Sequence, residues 1–246
     1  MNYSNPFTST RMAAAILVAL FFAVFMPAQT VSPVISEYTS KVAKGRIELI
    51  NPGIIPLTVI MEPKSFTVSE TGAISYGPLD KGIHVKLSAM SFQIQPQQSY
   101  YLFYEAQADS VPAWFVLYAN IGGYHKNSNG MNIRLDLPHT VYILPKQSAT
   151  KADIAIKFLG LSADKAHLRF SVTNSGSLFG RAMATELKNK SGTTEGNGFP
   201  MFPHYTRIVE MACKGDQSGS VFGLRMKGLK VEEPPSDPAE SRACTP

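Results

Sequence analysis

The sequence predicts an all-β protein built from two immunoglobulin-like β-sandwich domains in tandem. Three observations carry that expectation. From residue 46 to residue 229 almost every apolar cluster is short, β-branched or aromatic, and fenced by Gly, Pro, Asn or Ser, which is the punctuation of strands and turns. Beyond the N-terminal apolar run, no segment offers three clear turns of amphipathic helix. Two sequence patterns recur in the same order in the two halves of the chain, as expected of one folding unit used twice.

In order along the chain, the N-terminus comes first. Arg11 is followed by an unbroken apolar run over residues 12–26, then Pro27 and Ala28. This predicts a signal peptide over residues 1–28, or an anchor if it is not removed. The run is short for a membrane span of about 20 residues, so no membrane insertion is expected after cleavage. The first domain is predicted over residues 31–147. Its strands are residues 46–50, 57–61, 66–68, 83–87, 100–106 and 113–121, the last (AWFVLYANI) reading as a central strand. Residues 131–144 form a further strand that contains Pro138. A proline cannot donate to a sheet ladder, so this strand is expected at an edge, at least locally. Residues 145–151 (PKQSATK) read as a linker. A second domain is predicted over residues 151–230, with strands at 154–158, 167–173, 181–187, 205–211 and 221–229. The glycine-rich stretch 192–198 is expected to be a loop. Residues 231–246 (VEEPPSDPAESRACTP) are expected to be a disordered tail.

The recurring patterns are specific enough to align the halves. Arg46-Ile-Glu-Leu-Ile-Asn51-Pro-Gly53 matches Arg169-Phe-Ser-Val-Thr-Asn174-Ser-Gly176. Phe92-Gln-Ile-Gln-Pro96-Gln-Gln-Ser99 matches Phe199-Pro-Met-Phe-Pro203-His-Tyr-Thr206.

The composition argues against several functions. Of 246 residues, 44% are hydrophobic and 17% charged, and the net charge is +5. No Lys/Arg block is long enough to track a phosphate backbone, so nucleic acid is not expected as a partner. The five histidines show neither zinc-ligand spacing nor an i, i+4 pair around an acid. No nucleophile elbow is present. No metal, cofactor or catalytic residue is therefore assigned, and the protein is not expected to be an enzyme. Cys213 and Cys244 either form one bridge, which export would permit, or remain two thiols.

Function points to one strand. Met131, Ile133, Leu135 and Leu137 alternate strictly with Asn132, Arg134, Asp136 and Pro138, so the four aliphatic side chains share one face. Either that face covers the domain's own core, or it is a ladder of knobs offered to a partner that lacks a strand.

In these features the chain resembles the periplasmic pilus-assembly (PapD-like) chaperones. The resemblance spans about residues 31–230. It rests on the signal peptide, the doubled sandwich, Ser91-Phe-Gln-Ile-Gln-Pro96-Gln-Gln-Ser99, and the run 114–121 followed by an alternating strand that ends Tyr142-Ile-Leu-Pro145. Residues 166–176 and 199–209 are similar to that family's second sandwich. The resemblance implies donor-strand complementation. The last strand of the first domain completes a pilus-type subunit, with Met131, Ile133, Leu135 and Leu137 as donor residues, and an outer-membrane usher receives the complex. The family holds the subunit's C-terminal carboxylate with a first-strand arginine and a lysine five residues before the strand-ending proline. Here that lysine position is Thr140, and the first strand, about residues 31–38, has no arginine. Arg46 and Lys146 are the substitute cations named for that role, with Lys41 and Lys44 beside them. The competing reading is a secreted or surface-attached immunoglobulin-like interaction or structural protein without chaperone activity.

Overall fold

The computed structural model describes residues 30–122, 134–214, 217, 219–233 and 244. The predicted signal peptide, Met131 and Ile133 lie outside the described residues.

Ten strands form the first sandwich: β1 (Thr30–Ser32), β2 (Ile35–Tyr38), β3 (Val42–Asn51), β4 (Leu57–Val68), β5 (Ile74–Pro78), β6 (Ile83–Leu87), β7 (Ser91–Ile94), β8 (Gln98–Ala108), β9 (Ala113–Gly122) and β10 (Arg134–Ile143). One sheet has the order β1-β3-β8-β6; the other runs β2-β10-β9-β4-β5, with β7 also on β4. The first strand of the domain thus switches sheets at Pro33–Val34. The alternation of β3 explains its burial. Ala43, Ile47, Leu49 and Asn51 face the core, while Lys44 and Arg46 face solvent. β9 is central, with Phe115, Leu117, Ala119 and Ile121 on the core face.

The second sandwich comprises β11 (Ile154–Leu161), β12 (His167–Asn174), β13 (Gly180–Asn189), β14 (Gly192–Met201), β15 (Tyr205–Ala212), β16 (Val221–Met226) and β17 (Leu229–Glu233). Its sheets are β11-β12-β15 and β14-β13-β16-β17. Two expectations need correction. Residues 192–198 are not a loop but part of β14, an edge strand whose glycines allow close approach to its neighbour; a Cβ on Gly198 would meet the Ala182 carbonyl oxygen at 2.3 Å. Residues 231–233 are not tail but the end of β17, because Val231 alternates with Leu229 onto the core. Cys244 is buried too and is bonded to Cys213, with Cα atoms 6.0 Å apart.

The duplication shows in the hydrogen bonds. Asn51 and Asn174 are both fully buried. The Asn51 amide donates to the carbonyls of Ile55, Ile94 and Gln95, and its oxygen accepts from Gly53 N–H at 3.0 Å. The Asn174 amide donates to Leu178 and Met201, and its oxygen accepts from Gly176 N–H at 3.1 Å. Each side chain closes its own turn and ties it to a distant segment. The second pattern repeats just as closely. Gln97 and His204, each following the shared proline, have φ of 60° and 53°, as the third residue of a type II turn does.

A third apolar cluster joins the sandwiches. Phe66, Val116 and Tyr142 of the first pack with Phe179 and Phe202 of the second. The β4–β5 turn adds a brace: Ile208 N–H donates to the Glu70 carbonyl at 2.8 Å, and the Tyr205 hydroxyl donates to the Ser69 carbonyl. Gly72 has a positive φ of 90° and lies under the Arg207 guanidinium, where any Cβ would collide. Across the same junction Arg181 Nε donates to Glu37 at 2.7 Å, its guanidinium lying 5.1 Å from the Tyr142 ring centroid.

Candidate functional site: the edge of β10

β10 pairs with β9 along its whole length, from Arg134 opposite Gly122 to Ile143 opposite Ala113. On its other side β2 covers only the last four residues, with Thr140 opposite Ile35 and Ile143 opposite Tyr38. Among the described residues no strand pairs with that side of residues 134–139. The backbone polarity there follows from two bonds. Thr140 N–H donates to Val34 O and Leu144 N–H to Tyr38 O, so even-numbered residues direct their amide and carbonyl groups away from β9. Pro138 falls on an even position. Its missing donor therefore removes nothing from the β9 ladder, which is how a proline is tolerated in this strand.

The odd-numbered side chains point to the core. His139, Val141 and Ile143 are fully buried, whereas Leu135 and Leu137 are half-buried against the same core. The ladder thus emerges from the sandwich toward its N-terminal end. Both sequence readings of this face have a counterpart: the leucines touch their own core, and they do so beside an uncovered edge.

Thr140 lies on the opposite face, in register with Val116, which is in turn in register with Lys64 on β4. At about 4.8 Å per strand, Lys64 lies roughly 10 Å across the sheet from Thr140. Its ammonium is 2.9 Å from Glu62 and 5.2 Å from the Tyr118 ring centroid. Arg181, paired with Glu37, flanks Tyr142 on this face. Neither residue stood out in the sequence, because cross-strand register and domain docking leave no local pattern. Arg46 is placed elsewhere: it is exposed on the outer face of the other sheet, 5.1 Å from the Tyr101 ring centroid. Lys146 is exposed just past the strand.

A polar chain crosses the core beneath β10. His139 is 0% exposed. Its Nδ1 lies 2.6 Å from Pro33 O, and its Nε2 lies 3.2 Å from the Tyr104 hydroxyl, which is 2.8 Å from the Tyr38 hydroxyl. A carbonyl only accepts, so Nδ1 carries the proton, Tyr104 donates to Nε2 and Tyr38 donates to Tyr104. Burial pushes the His139 pKa down, partly opposed by the Pro33 carbonyl. Burial also pushes the Tyr104 phenol up, and the Tyr38 bond adds to that. Gly45 makes the space: a Cβ there would sit 2.2 Å from the Tyr38 hydroxyl and 2.5 Å from that of Tyr104. Gly45→Ala is expected to cost about 1–3 kcal/mol, read from a shifted denaturant midpoint at unchanged slope. An unshifted midpoint would mean that the tyrosines can part freely.

Among the described residues no group of three or more His, Cys, Asp or Glu side chains could hold a metal ion, and no helix is long and apolar enough to cross a membrane.

No protein-family model matches the chain, and no curated protein matches its sequence. Solved structures match its fold. The YadV chaperone superposes with a TM-score of 0.54 at 10% identity, covering 84% of this chain and 98% of its own. The fold is that of the fimbrial chaperones. A chain of a chaperone–tip adhesin complex of CFA/I fimbriae biogenesis superposes at 0.52 and 11% identity, over 85% and 99% of the two chains. The class 5 fimbriae chaperone CfaA does so at 0.50 and 9%, over 85% and 100%.

Proposed function

We propose that this protein is an exported periplasmic chaperone that holds pilus- or fimbria-type subunits by lending them the strand 131–137, and passes them to an outer-membrane usher. The observation that carries this reading is the uneven cover of β10: paired throughout on one side, and on the other only from residue 140. An uncovered strand edge is a template for another chain. Adding a strand there would supply main-chain hydrogen bonds, and the four aliphatic side chains would supply apolar contact. Their burial is worth roughly 6–12 kcal/mol before ordering costs. The fold shared with fimbrial chaperones supports the same reading. With Thr140 uncharged, Lys64 and Arg181, each paired with a glutamate, are two described cations on that face that a subunit carboxylate, costly to bury alone, could recruit.

The test is co-expression with an exported fimbrial subunit and capture through a tag on this chain. Ile133→Arg and Leu135→Arg are expected to abolish capture while the circular dichroism spectrum stays that of the wild type. If both variants still capture the subunit, strand donation is wrong. One observation favours the second reading, an immunoglobulin-like interaction protein without chaperone activity: Leu135 and Leu137 pack on their own core. Retained capture with both variants would select it.

A further inference from the structure

The buried His139 chain has no counterpart in the packing needs of a sandwich. It places three polar side chains in or beside an apolar core, and it ends on the Pro33 carbonyl, where the first strand crosses from one sheet to the other. Pro33 and Val34 also mark where β2 begins to cover β10, since the next bond is Thr140 N–H to Val34 O at 2.8 Å. Ahead of Pro33 the chain is held by β1, where Ser32 pairs with Glu48, but past it the cover is thin. Val34 and Ile35 are 57% and 48% exposed. The other end of β2 is pinned independently by Glu37 on Arg181 and by Leu144 N–H on Tyr38 O.

We infer that His139 is a positioning residue, a latch that holds the start of β2 on β10, and that its protonation releases this end and lengthens the open edge past residue 139.

The argument is one of charge. In the neutral state every member of the chain is satisfied. Tyr104 already accepts from Tyr38, and Ser36 of β2 also hydrogen-bonds it. A second proton on His139 makes Nε2 a donor to Tyr104, and the hydroxyl chain reverses, with Tyr104 then donating to Tyr38, so what the core leaves unanswered is the charge. Among the described residues the new charge has no counter-ion. The titratable groups facing the imidazole are Tyr104 of β8 and Tyr38 of β2. β9 presents Leu117, β3 presents Gly45, and the neighbours on β10 are Leu137 and Val141. Exposing the ring by lifting residues 33–36 disturbs far less than opening the core. The sign follows from burial: the folded pKa lies below the ordinary value of about 6.5. The latch is therefore fully closed above that value and loosens as pH falls below it.

The latch stands without the chaperone reading; only its consequence, a longer edge for a client, rests on that reading. Amide exchange of the free protein by nuclear magnetic resonance separates the two, because no client is present. After correction for intrinsic exchange, Thr140 is expected to lose roughly tenfold in protection between about pH 7.5 and about pH 5.5. Leu144 and core amides such as Leu102 should not follow. In His139→Asn, which keeps a donor near Pro33 and cannot titrate, Thr140 should be flat over that range. The nitrogen shifts of the wild-type imidazole, which need no variant, should show Nδ1 protonated and Nε2 bare at neutral pH. The inference is overturned if Thr140 is pH-independent in the wild type, if Thr140 and Leu144 loosen together, if His139→Asn keeps the pH response, or if the opposite tautomer is found.

Discussion

Phe202→Ala is expected to cost about 3–5 kcal/mol, the range for emptying a buried aromatic site that cannot collapse. Phe202 is 5% exposed and sits at the centre of the junction. Its ring centroid lies 4.5 Å from that of Trp114, 6.2 Å from Phe66, 5.8 Å from Phe179 and 5.8 Å from Tyr205. Two of those partners belong to the first sandwich and two to the second, so the cavity opens toward both. The loss should therefore uncouple the domains as well as destabilise them. Calorimetry should show one transition splitting into two, with the lower falling by several degrees. Met183→Ala serves as a control, because Met183 is 58% exposed on β13 and its truncation should stay within about 0.5 kcal/mol. A single unshifted transition for Phe202→Ala would show that the junction contributes little.

Leu135→Arg is expected to have the largest effect on binding. In the free protein Leu135 is half-buried near the emerging end of β10, so a long cationic side chain can turn to water with its stem against the core. In a strand-donated complex the same position would be enclosed in the subunit's groove. An unpaired guanidinium cannot be buried there without a cost of several kcal/mol. The expected outcome is a fall in capture of at least about a thousandfold, since about 4 kcal/mol corresponds to three decades. The folded state should shift far less. Equal losses of stability and capture would mean that Leu135 belongs to the core alone.

The sequence made the doubled sandwich legible because its signals are local. The Asn turn and the Pro–x–x turn recur with the same side-chain bonds and the same positive φ, at Asn51 and Asn174 and at Gln97 and His204. The proline at 138 likewise marked a strand that lies at an edge locally, over residues 134–139, before β2 covers its end. What escaped is long-range. That β2 covers only the last four residues of β10 depends on where the first strand changes sheets. That Lys64 shares a row with Thr140 depends on the register of three strands. β14 was hidden by its glycines, which usually mark loops but here let an edge strand lie close to β13. The His139 chain draws Pro33 and Tyr38, Gly45, and Tyr104 from three other segments, and no spacing in the sequence relates them.

The central claim is that the edge of β10 ahead of β2 is where a client strand adds. Hydrogen exchange read by mass spectrometry on the chain with and without a bound fimbrial subunit tests it most directly. The expected result is protection gained by the peptide covering residues 131–139, with β6 and β14 unchanged. Protection appearing on those other edge strands, and not on residues 131–139, would contradict the account.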